Sequence, residues 1–276
     1  MGQVVVISGL AQGMGRETAL ILAGKGHSIA GFDMDEPSLA GLGEELKRLG
    51  GDHLLVPLDI TDRAGIASFR DRVLEKFGRA DVVLSNVGIG FFGPFEEVDL
   101  DKALKCLEIN VIGAAALLRA FIPSMRQRGR GRLVCMSSLV GQVPFPFESI
   151  YSASKFALEG LVLSLRYEVA PFGIKTAIIQ PAQVSTSFAA KIHFLPPEGS
   201  PYRERVRRFI DRDNELIKTA PNPRAAAEKI ARILLSENPP VLSQVDFMSS
   251  VFLILNRFLP RSIRDAILLS HMNIKV

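Results

Sequence analysis

The stretch that most narrows the folds open to this chain is its beginning. Val4-Val5-Val6-Ile7 is an unbroken β-branched run, the pattern of a strand buried on both faces. Ser8-Gly9-Leu10-Ala11-Gln12-Gly13-Met14-Gly15 follows, and Arg16 to Ala23 then has helical character. Strand, glycine loop and helix in that order make a phosphate cradle. Glycines let backbone approach a pyrophosphate, and the helix N-terminus offers N–H donors and partial positive charge. Ser8, Gly9, Gln12, Gly13, Met14 and Gly15 are therefore candidate cofactor-binding residues. Glycine-rich turns are frequent; the place directly after the first strand gives this one its weight.

The remaining sequence alternates strand and helix, which favours an α/β fold with a parallel sheet. Strands are expected at Ser28–Phe32, Leu54–Leu58, Ala80–Ser85, Arg132–Met136, Lys175–Gln180 and near Val241–Val245. Helices are expected at Glu36–Leu49, 62–77, Leu100–Met125, from Tyr151 onward, and at Tyr202–Lys218 and Ala225–Ser236. With 276 residues, 47% of them hydrophobic, the chain is long enough for one large domain with a full core. The net charge of +4 is far from a nucleic-acid signature. Cys106 and Cys135 sit in apolar segments without CxxC spacing, as buried thiols in a reducing compartment do. The four histidines form no metal-ligand cluster. The first strand begins so early that no signal peptide is expected, and Val6 departs from a myristoylation pattern. The expectation is a cytoplasmic protein that also touches a membrane under the second reading of its tail, given below.

The carboxyl ends of the strands carry the chemistry. Asp33 ends the second strand, where a carboxylate accepts from a ribose diol and repels a 2′-phosphate. Met34 follows it rather than an arginine, so NAD is expected over NADP; Arg16 beside the glycine loop argues the other way, and a plain turn aspartate is the alternative. Asp59, with Ile60 beside it, is placed to meet an adenine amine. Asn86-Val87-Gly88 is a small-residue turn at the end of the fourth strand, where doubly wound sheets hold ligands. Asn110 inside an apolar helix requires a buried partner or a local helix distortion. Ser138 ends the fifth strand, and thirteen residues later comes Tyr151-Ser-Ala-Ser-Lys155. Tyr151 and Lys155 lie one turn apart on one helix face. A phenol titrates near ~10 and is a poor base at neutral pH. A cation about 4 Å away in a half-buried site contributes roughly 4 kcal/mol toward its ionised form.

Taken together, these residues resemble the short-chain dehydrogenase/reductase family, a Rossmann-type single domain with a doubly wound parallel sheet. The likeness covers roughly residues 3 to 245. The glycine loop matches in spacing, with Ser8 where threonine is usual. Ser85-Asn86-Val87-Gly88 is similar to the family's Asn-Asn-Ala-Gly element, and Pro181 to Thr186 to its Pro-Gly turn beside the nicotinamide, with Ala182 for glycine. The resemblance implies a catalytic tetrad of Asn110, Ser138, Tyr151 and Lys155, with Pro181, Val184 and Thr186 joining Tyr151 and Lys155 at the cofactor. Tyr151 would be the acid/base, Lys155 would lower its pKa and hold the ribose, Ser138 would orient the substrate oxygen, and Asn110 would hold a relay water. The domain organisation that follows is 1–246 for the catalytic domain, with 187–222 as its substrate lid, and 247–276 as an apolar and basic extension.

Phe91, Phe92, Phe95, Phe145, Phe147, Phe188 and Phe194 fall on the loops expected to face substrate. They point to an apolar alcohol or ketone, steroid-, retinoid- or lipid-like; the alternative is that the rings pack beneath the loops or at a subunit contact. A homodimer or homotetramer is expected from helices that are apolar on more than one face. The tail reads as two short helices. Docking on the protein is the first expectation for it, and peripheral contact with an anionic membrane the second. Two other functions compete: an NADPH-dependent ketoacyl-type reductase, whose acidic carrier Arg126, Arg128, Arg130 and Arg132 would greet, and a non-catalytic cofactor-binding protein of the same fold. The plain reading of those arginines is a solvated turn.

Overall fold

The computed structural model describes residues 2–182, 184 and 196–274. Seven strands form one parallel sheet in the order β3-β2-β1-β4-β5-β6-β7: β1 (Val4–Ser8), β2 (Ser28–Asp33), β3 (Leu54–Pro57), β4 (Val82–Ser85), β5 (Gly131–Met136), β6 (Ile174–Gln180) and β7 (Leu242–Gln244). The α/β, doubly wound expectation holds, and each strand lies within two residues of where the β-branched runs put it. The chain turns from one half of the sheet to the other between β1 and β4. A crevice therefore opens at their carboxyl ends.

Both faces of the sheet are buried, and the alternation along β1 shows why Val4 to Ile7 include no polar residue. Val4 and Val6 face a core with Phe32, Phe69, Phe121 and Ile178, covered by α3 (Arg63–Phe77), α5 (Ala114–Gln127) and α6 (Ser149–Val169). Val5 and Ile7 face the other, with Leu22, Leu42, Leu84 and Ile230, covered by α1 (Gly13–Gly24), α2 (Glu36–Leu49) and α8 (Pro223–Leu235).

The expected helix over Leu100–Met125 is interrupted. It comprises α4 (Leu100–Leu107), a π-helical segment Glu108–Gly113 and α5. Both sequence-level accommodations for Asn110 are thus present: a distortion and, as described below, buried partners. By length and composition Leu100–Gln127 could cross a membrane, but Leu117, Leu118, Phe121 and Met125 bury it in the core. The arginine turn is also not simply solvated. Arg128 pairs with Asp81 at 2.6 Å, and Arg132 is buried with Nη1 donating to the Ser236 carbonyl at 3.0 Å.

Helix α7 (Arg203–Thr219), within the stretch expected as a lid, and the tail helices α9 (Phe247–Phe258) and α10 (Arg261–His271) complete the described chain. The tail docks on the protein. Met272 and Ile274 are fully buried with Phe209 of α7, and Leu268 and Leu269 pack against them. Arg212 Nε donates to the His271 carbonyl at 3.0 Å.

Candidate active site

The glycine loop is shaped by β4. Asn86 Nδ2 donates to the carbonyls of Ser8 and Gly9 at 3.2 and 2.8 Å, and Ser8 Oγ accepts from the N–H groups of Asn86 and Val87 at 3.1 and 3.3 Å. Gly9 has φ +69°, and a Cβ on Gly15 would stand 2.3 Å from the Gly9 carbonyl oxygen. No other residue fits at Gly15 without moving backbone. The Gln12 side chain does not cap α1, and its first turn carries no acid. Donors and dipole at that helix start therefore remain available to an anion. Gln12 is exposed and Met14 leans into the core beneath α1.

Asp33 is buried at the end of β2. Its Oδ2 accepts from the Ala11 N–H at 3.0 Å and its Oδ1 from the Asp35 N–H at 3.1 Å, so its carboxylate borders the glycine loop. Met34 is 75% exposed. Arg16 is turned away to Glu45 and Glu17. Asp59 Oδ1 accepts from the N–H and hydroxyl of Thr61 at 2.8 and 2.9 Å, a local turn, and Ile60 is buried. Pro181 and Val184 are buried, and the Pro181 carbonyl accepts from the Leu139 N–H at 2.8 Å, joining the turns after β5 and β6. The cradle, the open helix start and the acid bordering the glycine loop fit a nicotinamide dinucleotide. Thr186, Phe188 and Phe194 lie outside the described residues.

Ser138, Tyr151 and Lys155 come together. Tyr151 and Lys155 are 7% and 3% exposed. Ser138 hydrogen-bonds the Tyr151 phenol. Lys155 Nζ lies 5.6 Å from the Tyr151 ring centroid and donates to the Met136 carbonyl at 2.9 Å. Gly88 stands against this lysine: a Cβ there would be 3.3 Å from Nζ. Asn110 Oδ1 accepts from the Ile89 N–H at 2.8 Å; Nδ2 donates to the Ile89 carbonyl at 2.8 Å and to Ser154 Oγ at 2.9 Å. The side-chain amide thus clamps the loop after β4 to α6, which leaves little of it to hold a relay water.

The electrostatics differ from the sequence expectation. Burial, reinforced by Glu148, holds the Tyr151 phenol above its ordinary value, against the opposing Ser138 bond. Burial lowers Lys155 to about 8. Loss of water is the leading cause at both groups. Glu148 is itself pushed well up by burial and by Asp213 of α7. Burial also raises the Cys106 and Cys135 thiols, to about 11 and about 12, and both cysteines are free. Among the described residues no group of His, Cys, Asp and Glu could hold a metal.

Sequence reasoning missed Glu159, 5% exposed and one turn beyond Lys155. Its Oε1 accepts from Ser137 Oγ at 2.6 Å and from Gln180 Nε2 at 2.8 Å; Gln180 Oε1 in turn accepts from Gln244 Nε2 at 2.8 Å. An acid four residues after the lysine, in an otherwise apolar helix stretch, was the available signal. Burial raises its carboxyl.

The phenylalanines divide. Phe92 lies 6.3 Å from Tyr151 and 6.1 Å from Phe209, and Phe147 lies 5.8 Å from Phe209. Phe145 joins the same cluster under α7 and the chain end, and Phe91 is half-buried beside Phe92. Phe147 has φ 63°, a left-handed backbone sparse for a bulky residue. Phe95 does not face the site: it is 66% exposed on a short 3-10 turn. Phe209, Met272 and Ile274 were not anticipated; their polar or terminal neighbours hide them.

The family model described as short chain dehydrogenase matches residues 3–194. The chain belongs to the short-chain dehydrogenase family. It is an oxidoreductase acting on CH–OH groups. Similar proteins include human 17-beta-hydroxysteroid dehydrogenase type 1, 32% identical over 86% of this chain and 75% of that protein. Another is a 3-ketodihydrosphingosine reductase of Bacteroides thetaiotaomicron, 29% identical over 88% and 87%. A solved short-chain dehydrogenase from Streptomyces avermitilis superposes with TM-score 0.82 at 31% identity, over 99% of this chain and 96% of that one. Two further solved enzymes at 25% identity carry cofactor. One, from Burkholderia phymatum, is a complex with NAD (TM-score 0.77, 87% and 88% covered). The other, an alcohol dehydrogenase from Thermococcus sibiricus, is a complex with 5-hydroxy-NADP (0.73, 88% and 95%).

Proposed function

We propose that this short-chain dehydrogenase moves a hydride between NAD(H) and a hydrophobic secondary alcohol or its ketone, steroid-, retinoid- or lipid-like, with Tyr151 as acid/base. The observation that carries the reading is the Ser138–Tyr151–Lys155 cluster, its tyrosine and lysine buried and the Tyr151 ring against Phe92. When bound, the dinucleotide supplies the hydride acceptor or donor at its nicotinamide. The chain supplies positioning and proton control. Ser138 orients the substrate oxygen. Tyr151 takes the proton of an alcohol or gives one to a ketone. Its raised proton affinity keeps the phenol protonated at neutral pH, ready to act as the acid in reduction. Lys155 is cationic below about pH 8, so its help in releasing that proton fades above this pH. The phenylalanine cluster excludes water and favours an apolar carbon skeleton.

NAD is favoured over NADP because Asp33 borders the loop, Met34 offers no charge, and Arg16 is engaged by Glu45 and Glu17. The similarity to a 3-ketodihydrosphingosine reductase keeps a long-chain ketone within the substrate class. A carrier-bound chain has less support, since Arg128 and Arg132 are taken up by Asp81 and the Ser236 carbonyl. The buried free thiols accord with a cytoplasmic setting. Exposed Leu100, Leu104, Ile112 and Phe156 accord with a homo-oligomer.

The test is NADH formation from NAD with a panel of apolar secondary alcohols, NADP serving as comparison. Turnover with NAD that falls by more than ten-fold in Tyr151→Phe, while NADH binding persists, is the expected result (roughly two to four decades for loss of an acid/base). Asp33→Ala should narrow the preference for NAD; an unchanged ratio of kcat/KM values would remove Asp33 from selectivity.

A further inference from the structure

We propose that α9 and α10 lay their outer face on an anionic lipid surface. The inner side of this helix pair is fixed. Asp246 caps α9, its carboxylate accepting from the Ser249 N–H and hydroxyl at 2.7 and 2.6 Å. Arg264 Nη1 donates to the Asn256 carbonyl at 3.2 Å, stapling α10 to the end of α9. Leu268, Leu269, Met272 and Ile274 seal α10 and the residues after it to Phe209 of α7, and α9 packs beside β7. The helices are therefore docked elements with a defined outside.

That outside is apolar. Ile254, Leu255 and Phe258 of α9 are 59, 53 and 78% exposed, and Ile263 and Ile267 of α10 are 46 and 44% exposed. Spacings of one turn put Ile254 with Phe258, and Ile263 with Ile267, on single helix faces. Exposed apolar side chains are ordinary when scattered singly; five within residues 254–267 form a patch that marks an interaction surface.

Charge selects the occupant. On this outside Arg257 and Arg261 are exposed against one acid, Asp265, while Arg264 is half-buried and taken up by the Asn256 carbonyl. Arg261, 88% exposed at its side chain, lies 3.8 Å from Asp265, and Arg257 is exposed beside Phe258. Two copies brought together on this face would oppose arginine to arginine. Another exposed apolar group, Leu100 and Leu104 on α4, has Lys102, Lys105, Asp99 and Glu108 around it, charges of both signs that suit a copy of itself. Apolar side chains rimmed by arginine suit phospholipid headgroups above acyl chains. Twelve residues of α9 span about 18 Å, short of the roughly 30 Å hydrocarbon core, so the helices lie in the interface plane.

The experiment is co-flotation of the full chain with phosphatidylcholine vesicles carrying phosphatidylserine, beside pure phosphatidylcholine vesicles. Wild type should float with the anionic vesicles and much less with the neutral ones. Phe258→Ser and, separately, Arg257→Glu should each weaken this, the latter on the order of ten-fold. Both should leave turnover of a water-soluble ketone unchanged, which reports an intact fold. Failure of wild type to bind anionic vesicles, equal binding to both kinds, or variants that float like wild type would each overturn the proposal. So would a drop in oligomer mass in Phe258→Ser without vesicle binding by wild type, which would make this face a contact between copies.

Discussion

Tyr151, Lys155 and Glu159 follow one another at intervals of one helical turn, and burial pulls their proton affinities in different directions. Desolvation raises the phenol and the carboxyl and lowers the ammonium. The carboxylate of Glu159 opposes the loss of charge on Lys155, holding its pKa higher than burial alone would. Glu159→Gln keeps an acceptor for Ser137 but removes that charge. The folded-state pKa of Lys155 should then drop below about 8. Ketone reduction depends on the cationic lysine in this reading, so its high-pH limb should move to lower pH. A pH profile of kcat with an unmoved limb would leave Glu159 a purely structural acceptor. At Gly15 the constraint is steric rather than electrostatic. Gly15→Ala puts a methyl 2.3 Å from the Gly9 carbonyl and 2.6 Å from Asn86 Nδ2. The loop must deform, and dinucleotide affinity, read by fluorescence of bound NADH, should fall by more than ten-fold, roughly the loss of one charge-assisted hydrogen bond.

Among the elements, the π-helical segment explains how a helix in the core can carry an amide. The extra residue in its turn delivers Asn110 to the loop after β4, where it replaces partners that Ile89 would otherwise lack. Asn110→Leu fills similar space but leaves the Ile89 N–H and carbonyl, and Ser154, without this partner. The cost should be about 1–3 kcal/mol, a fall in Tm on the order of 5 °C for a domain of this size, measured by calorimetry. The tail shows the opposite economy of sequence: its inner residues are few, and Met272 and Ile274 suffice to close the aromatic cluster over the site.

At the scale of the molecule, one sheet with two buried faces leaves apolar side chains exposed outside it, on the α4–α6 side and on the tail among other places. Leu104 and Phe156 are 66 and 44% exposed on the first, where α4 packs beside α6. Leu104→Glu combined with Phe156→Glu should convert an oligomer to a monomer in light scattering, because burying two unpaired carboxylates costs several kcal/mol. An unchanged mass would place the copy contact elsewhere.

The sequence by itself determined the strands, the order of strand and helix, the glycine loop, Asp33 and the spacing of Ser138, Tyr151 and Lys155. Each of these is written in short-range terms: β-branched runs, turn residues, and intervals along one helix. What only the tertiary structure decided depends on groups brought together from afar. Arg132 reads as a solvated turn residue, yet its guanidinium reaches a carbonyl 104 residues away. Glu159 reads as one more charge on a helix until β6 supplies Gln180. Tyr151 and Lys155 read as a pair that tunes itself until the surrounding elements remove the water. Desolvation then governs both, because the dielectric around a group is set by everything packed on it and not by its neighbours in sequence.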